Sequence, residues 1–220
     1  MIAMHDPLLH TVTATREVLD ARLGTAEFHR ANLRHPRDGH PAIDTFLAST
    51  SRHVSAAVEV LHAEVRRLVP DGTVRARALV TRARRLELAM GSAKAKLYGG
   101  AQAAHLPWSE VWAGLHRELD AFMALEEELV RDLVARSTAL ASDQLAERMH
   151  RAEVRAPTRP HPYVPHHGPA GWVARRICLQ VDHFWDACEG RMVPEPVRHH
   201  DRAKDGPFTQ YLLADPHLGD

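Results

Sequence analysis

Four stretches of the chain repeat their apolar residues every three or four positions, each bounded by proline or glycine, and no other feature limits the fold so strongly. The first opens with Asp6 as N-cap and Pro7 at the first helical position, and carries Leu8, Val12, Leu19 and Leu23 on one stripe. Gly24 is expected to weaken or end it. After a loop from Arg34 to Pro41, the second runs from Ile43 to Leu68 through Phe46, Val54, Ala57, Val58, Leu61 and Val65, until Pro70-Asp71-Gly72 stops it. The third, from about Val74 to Leu97, carries Leu79, Val80, Ala83, Leu86, Met90 and Ala93, and Gly99-Gly100 closes it. The fourth starts near Ser109, after Pro107, and carries Trp112, Leu115, Leu119, Phe122, Leu129 and Leu133 to about Ser137.

No stretch alternates with period two in valine, isoleucine and threonine, so no sheet is expected. Short links force each helix antiparallel beside the last. The expected fold is therefore all-α, an up-down-up-down four-helix bundle over residues 1–140. Residues 141–220 are expected to form a C-terminal helical extension. It begins with a short helix from Asp143 to about Arg155, followed by a stiff connector from Ala156 to Gly168 that carries Pro157, Pro160, Pro162 and Pro165. An amphipathic helix from Ala170 to Met192 follows, with Val173, Ile177, Val181, Phe184 and Cys188 on one side and Arg175, Arg176, Asp182 and Asp186 elsewhere. Its polar face mixes acids with arginines, so its apolar side is expected to dock on the bundle and not on a membrane. The tail from Pro194 is expected to be loosely ordered, with Phe208, Tyr211, Leu212 and Leu213 as a docking patch.

Charge narrows the function. Lys plus Arg number 28 and Asp plus Glu number 28, so the formal net charge is zero, against what a dedicated nucleic-acid binder carries. The run Arg75, Arg77, Arg82, Arg84 and Arg85 has no aromatic residue among it for base stacking; it is a solvated helix face or a local anion-binding face. No apolar run is long enough to cross a membrane, and the N-terminus lacks a leader pattern, so the expected address is the cytoplasm. Cys178 and Cys188 stand about 15 Å apart along one helix, too far for a mutual bridge. There is no glycine-rich phosphate loop, no Cys-x-x-Cys and no serine nucleophile elbow, so little supports an enzyme. The 17 histidines invite a metal reading that only position can decide. His161, His166, His167, His199, His200 and His217 lie in proline-rich or tail segments, as solvated side chains or as a labile surface site for zinc or copper.

Two helices carry a family resemblance. The second reads Phe46-Leu47, then His53-Val54 through Leu61, and the fourth reads Glu118-Leu119-Asp120-Ala121-Phe122-Met123-Ala124-Leu125-Glu126-Glu127-Glu128-Leu129-Val130. Over roughly residues 7 to 137 the chain resembles the hemerythrin-like, HHE cation-binding domains, and Ala156 to Pro162 with the helix after it resembles C-terminal extensions of certain bacterial members. The resemblance implies a four-helix bundle that binds iron and dioxygen, with about five imidazoles and two carboxylates around two irons. His53 matches the family's histidine in the second helix and Glu126 its carboxylate in the fourth.

Most other ligand positions have changed. The carboxylate expected four residues after His53 is Ala57, and the histidine expected before Glu126 is Phe122. The third helix has no histidine between Asp71 and Leu97, its inward polar candidates being Arg84, Arg85 and Glu87. The first offers Thr15 and Arg16 where an inward histidine would stand, and His10 falls off its stripe. The di-iron site is expected to be degenerate; any cation binding left to it would use His53 and Glu126 with Glu87 or His116, and the implied cofactor is iron. Otherwise the chain is a metal-free structural or protein-interaction module with a protein partner at the C-terminal extension.

Helical phase turns His53 and Glu126 toward the core, where an unpartnered polar group costs several kcal/mol. They are expected to bond to each other, or to Arg84 or Arg85, or to frame a single-metal or small-anion site. With the site empty, leucine at position 53 should be tolerated. Glu59 and His62 form an ExxH pair like that of di-iron carboxylate proteins, but their phase points them to solvent. His116 has the phase of a boundary residue.

Overall fold

The structure, a computed structural model, describes residues 6–28, 40–97, 105–161, 173–174, 176–182 and 193–199, and every regular element among them is helical. Five helices follow in chain order: α1 (Pro7–Phe28), α2 (Pro41–Leu68), α3 (Gly72–Leu97), α4 (Trp108–Val134) and α5 (Ala139–Val154). None is long and apolar enough to cross a membrane.

Asp6 caps α1 as its position predicts: Oδ1 accepts from Leu8 N at 3.0 Å and Leu9 N at 3.1 Å. The same oxygen also accepts from the Ser142 hydroxyl in the first turn of α5. Gly24 does not end α1, which continues to Phe28, because Leu23 and Ala26 on either side of it are fully buried. Between α2 and α3 the turn is tight. Asp71 takes a positive φ of 52°, and a Cβ on Gly72 would come within 2.2 Å of the Val65 carbonyl oxygen, so only glycine fits there. The Thr138 side chain accepts from Ala141 N at 3.2 Å and starts α5 at Ala139, earlier than Asp143.

α1 and α3 each pack against both α2 and α4, closing a ring, while α5 lies against α1 and α2. α2 touches all four other helices. Its middle is consequently buried all round: Ala48 through Ser51 and His53 through Val58 are covered. Small side chains such as Ala48, Ser51, Ala56 and Ala57 let neighbours approach closely on several sides. Leu145, Ala146 and Met149 of α5 join the same core as Phe46, Leu61 and Phe122, so the core continues past residue 140.

Outer faces are joined by ion pairs. Arg16 of α1 reaches Asp120 and Glu127 of α4 at 3.4 Å, and Arg75 of α3 meets Glu128 at 2.7 Å and also Asp132. The basic start of α3 is therefore partnered by acids of α4.

The C-terminal helix departs from expectation. Over 176–182 it turns Asp182 inward, fully buried, while Val173, Ile177 and Val181 are 48%, 59% and 45% exposed. Asp182 Oδ2 accepts from Thr158 N at 2.9 Å and Arg159 N at 3.0 Å, with His161 Nε2 at 3.3 Å. Prolines 157 and 160 leave the connector few amides of its own to pair, and one carboxylate that collects two amides and a ring nitrogen outweighs burial of three aliphatic side chains. The loop at 34–39, the Gly99-Gly100 stop, connector residues 162–168, the side chains of Arg175, Phe184, Asp186 and Cys188, the histidines at 166, 167, 200 and 217 and the patch at Phe208 to Leu213 lie outside the described residues.

Candidate functional site: a buried imidazole between two carboxylates

Three helices deliver one charged group each to the same buried point. His53 of α2 follows Phe46 by two turns and is 1% exposed; Glu126 of α4 lies between Phe122 and Leu129 on the buried stripe and is fully buried. Glu153 of α5 extends the stripe of Leu145, Ala146 and Met149. His53 Nε2 is 2.8 Å from Glu126 Oε2 and Nδ1 is 2.6 Å from Glu153 Oε1. The edge of Phe122 closes one side, its ring 6.3 Å from the imidazole and nearly perpendicular to it.

Ionised carboxylates at both nitrogens place a proton on each, which makes the ring an imidazolium. Burial alone would lower the His53 pKa, but the charge and hydrogen bonds of Glu126 and Glu153 outweigh it and push it up to about 10. Glu126 Oε1 meets no donor among the described residues, so His53 is the one counter-ion that holds this carboxylate.

The other proposed ligands go elsewhere. His116 is exposed and pairs with Glu27 at 2.8 Å. Glu87 is buried on α3, close enough to Cys178 to help raise its thiol, after burial and Asp182. Arg84 and Arg85 are exposed, so neither serves the buried pair; the partner is Glu153. His10 and Glu59 are exposed, His62 is half-buried, and Thr15 is buried in the place of an inward histidine. Of the three successive acids on α4, Glu126 goes inward, while Glu127 pairs with Arg131 and Arg16 and Glu128 with Arg75. Glu153 was legible: it lies four residues past Met149 on an apolar stripe, as Glu126 does past Phe122.

A recess of about 30 Å³, room for one or two waters, opens beside this centre. Arg22, Ser49, Arg52, His53 and Glu153 line its wall, and Pro194, Pro196 and Val197 form its roof. Arg52 Nη1 donates to the Pro194 carbonyl at 2.8 Å, and Arg198 pairs with Glu147, so the roof segment is fastened on both sides. Burial lowers the Arg22 pKa, and nearby Glu153 offsets this only in part.

These residues do not fit a di-iron centre. His53 is the only buried histidine among the described residues, Ala57 and Phe122 carry no donor atom, and a ring engaged at both nitrogens has no lone pair to give. The two carboxylates sit on opposite edges of the ring and do not converge on one point, and among the described residues no cluster of three metal-binding side chains forms. The arrangement holds a proton and ties α2, α4 and α5 together. Compared with known proteins, the chain matches no family model, no curated protein and no solved structure.

Proposed function

We propose that this chain is a hemerythrin-like bundle, its four principal helices running up-down-up-down, in which an imidazolium between two carboxylates stands where that family holds two irons. The likeness is supported by the order of the helices, by the ring of contacts that α1 to α4 make, and by burial of His53 and Glu126 at the family's positions. The observation that carries the metal-free part is that both ring nitrogens of His53 are bonded to carboxylates. One proton neutralises charge that a cation would otherwise neutralise.

The protein is then a structural or protein-interaction module rather than an enzyme, and it meets a protein partner through its C-terminal extension. The exposed stripe of Val173, Ile177 and Val181 supports that site. A nucleic-acid partner is disfavoured by zero net charge and by the pairing of Arg75 with acids of α4.

Metal analysis of protein produced in iron-supplemented medium should find only traces of iron, and nitrogen NMR should show two protonated nitrogens on His53. About two irons per chain with an oxo-bridge absorption band would overturn the reading. Ile177→Glu should leave the melting temperature unchanged and reduce binding of a hydrophobic dye. A melting temperature lowered by several degrees would mean that the stripe is packed within the fold.

A further inference from the structure

Between α3 and α4 a cleft of about 400 Å³ opens to solvent, within the range of roughly 300–1,000 Å³ that small-molecule sites occupy. Two ion pairs fix which residues share its ends. Arg75 of α3 meets Glu128 of α4 and Arg82 stands 3.9 Å from Glu118, so numbers rise along one helix as they fall along the other. Arg85 therefore lies at the same end of the cleft as Arg117 and Glu118, and Ser92 at the same end as Glu110 and Leu106. The step from Arg85 to Ser92 along α3 sets these ends about 10 Å apart.

The two ends differ in charge. Glu118 is shared by Arg117, at 3.2 Å, and Arg82, which leaves Arg85 an exposed guanidinium with no ion pair or hydrogen bond among the described residues. The exposed Glu110 carboxylate at the other end likewise has neither among them. The middle is apolar. Leu88, 39% exposed, stands there with Ala89 and Val111, and Gly114 leaves the space open: beyond its own helix backbone, a Cβ would meet only Arg117 Nη2, at 3.9 Å.

We propose that this cleft binds a small, straight-chain ω-amino carboxylic acid, its carboxylate on Arg85, its ammonium on Glu110 and its methylenes against Leu88 and Val111. An eight-carbon chain spans roughly 10 Å between its charged groups, which matches the length of the cleft. A dicarboxylate would set one charge against Glu110, and a diamine would set one against Arg85. The site shares no residue with the His53 centre and stands independently of it.

The test titrates the full chain with 8-aminooctanoate and follows the backbone amides by NMR. Shifts should saturate and concentrate at Leu88, Ser92 and Gly114. Octanoate and octylamine should each bind about fivefold more weakly through loss of one ion pair, and suberate more weakly than octanoate. Arg85→Gln should remove the preference for the amino acid over octylamine, and Glu110→Gln its preference over octanoate; both side chains are exposed, so both variants should fold. Gly114→Leu should abolish binding by filling the cleft, without melting below the parent, because it replaces a glycine inside a helix. Equal affinity for all four probes, or no saturable shift with 8-aminooctanoate, would overturn the site. So would binding that survives Gly114→Leu.

Discussion

Replacing His53 by leucine should destabilise the protein by about 3–5 kcal/mol, lowering the melting temperature by roughly 10 °C for a chain of this length. The sequence alone suggests the reverse, because a single polar pair in an otherwise apolar core is often replaceable at little cost. Glu153 changes the sign. With His53 gone, Glu126 and Glu153 remain buried without their shared counter-ion, and Glu126 has no other donor among the described residues. Glu126 must take up a proton or draw in water, while Glu153 keeps only the neighbouring Arg22 as a counter-charge, and the cost of that falls on the native state alone. Adding Glu126→Met and Glu153→Met to the leucine variant removes the stranded charges and should restore most of the loss. Thermal melts of the parent, single and triple variants check this. A single variant that melts within about 2 °C of the parent would show that the centre carries no net charge to balance.

Stability should also fall as pH rises from about 6.5 to about 10. The sign follows from proton counting. His53 in the unfolded chain releases its proton near 6.5, whereas the folded protein keeps it until about 10, so between these values the native state binds one proton more. The contribution is fully present below 6.5 and is lost as pH climbs through the folded pKa. Its slope is about 1.4 kcal/mol per pH unit, and the loss across the window is on the order of 5 kcal/mol. Denaturant unfolding at a series of pH values measures it. Lysines and tyrosines also titrate toward the upper end, so the informative quantity is the difference from the triple apolar variant, in which this slope should vanish. Parallel curves for the two proteins would place the His53 pKa near its ordinary value.

The site was half legible in the sequence. His53 and Glu126 are found by helical phase alone, because an ionisable residue on a 3.6-residue apolar stripe has nowhere to go but inward. The same logic reaches Glu153 once α5 is counted as part of the core; treating residues past 140 as an appendage hides it. Phase also placed His10 and Glu59 outside, as found. It misplaced Arg84 and Arg85, which a long third helix with few large apolar residues leaves on its outer side.

Phase said least about the C-terminal helix, where Val173, Ile177 and Val181 read as the buried face and Asp182 as solvated. The reversal depends on Thr158 and Arg159, whose amides need an acceptor that no periodicity reveals. What the sequence determined by itself, among the described residues, was the set of helices, their ends to within a few residues and the one histidine that points inward, because these follow from local spacing and capping. Only the tertiary structure decided which acids meet that histidine, since partners separated by 73 and 100 residues are chosen by how helices pack and not by any pattern along the chain.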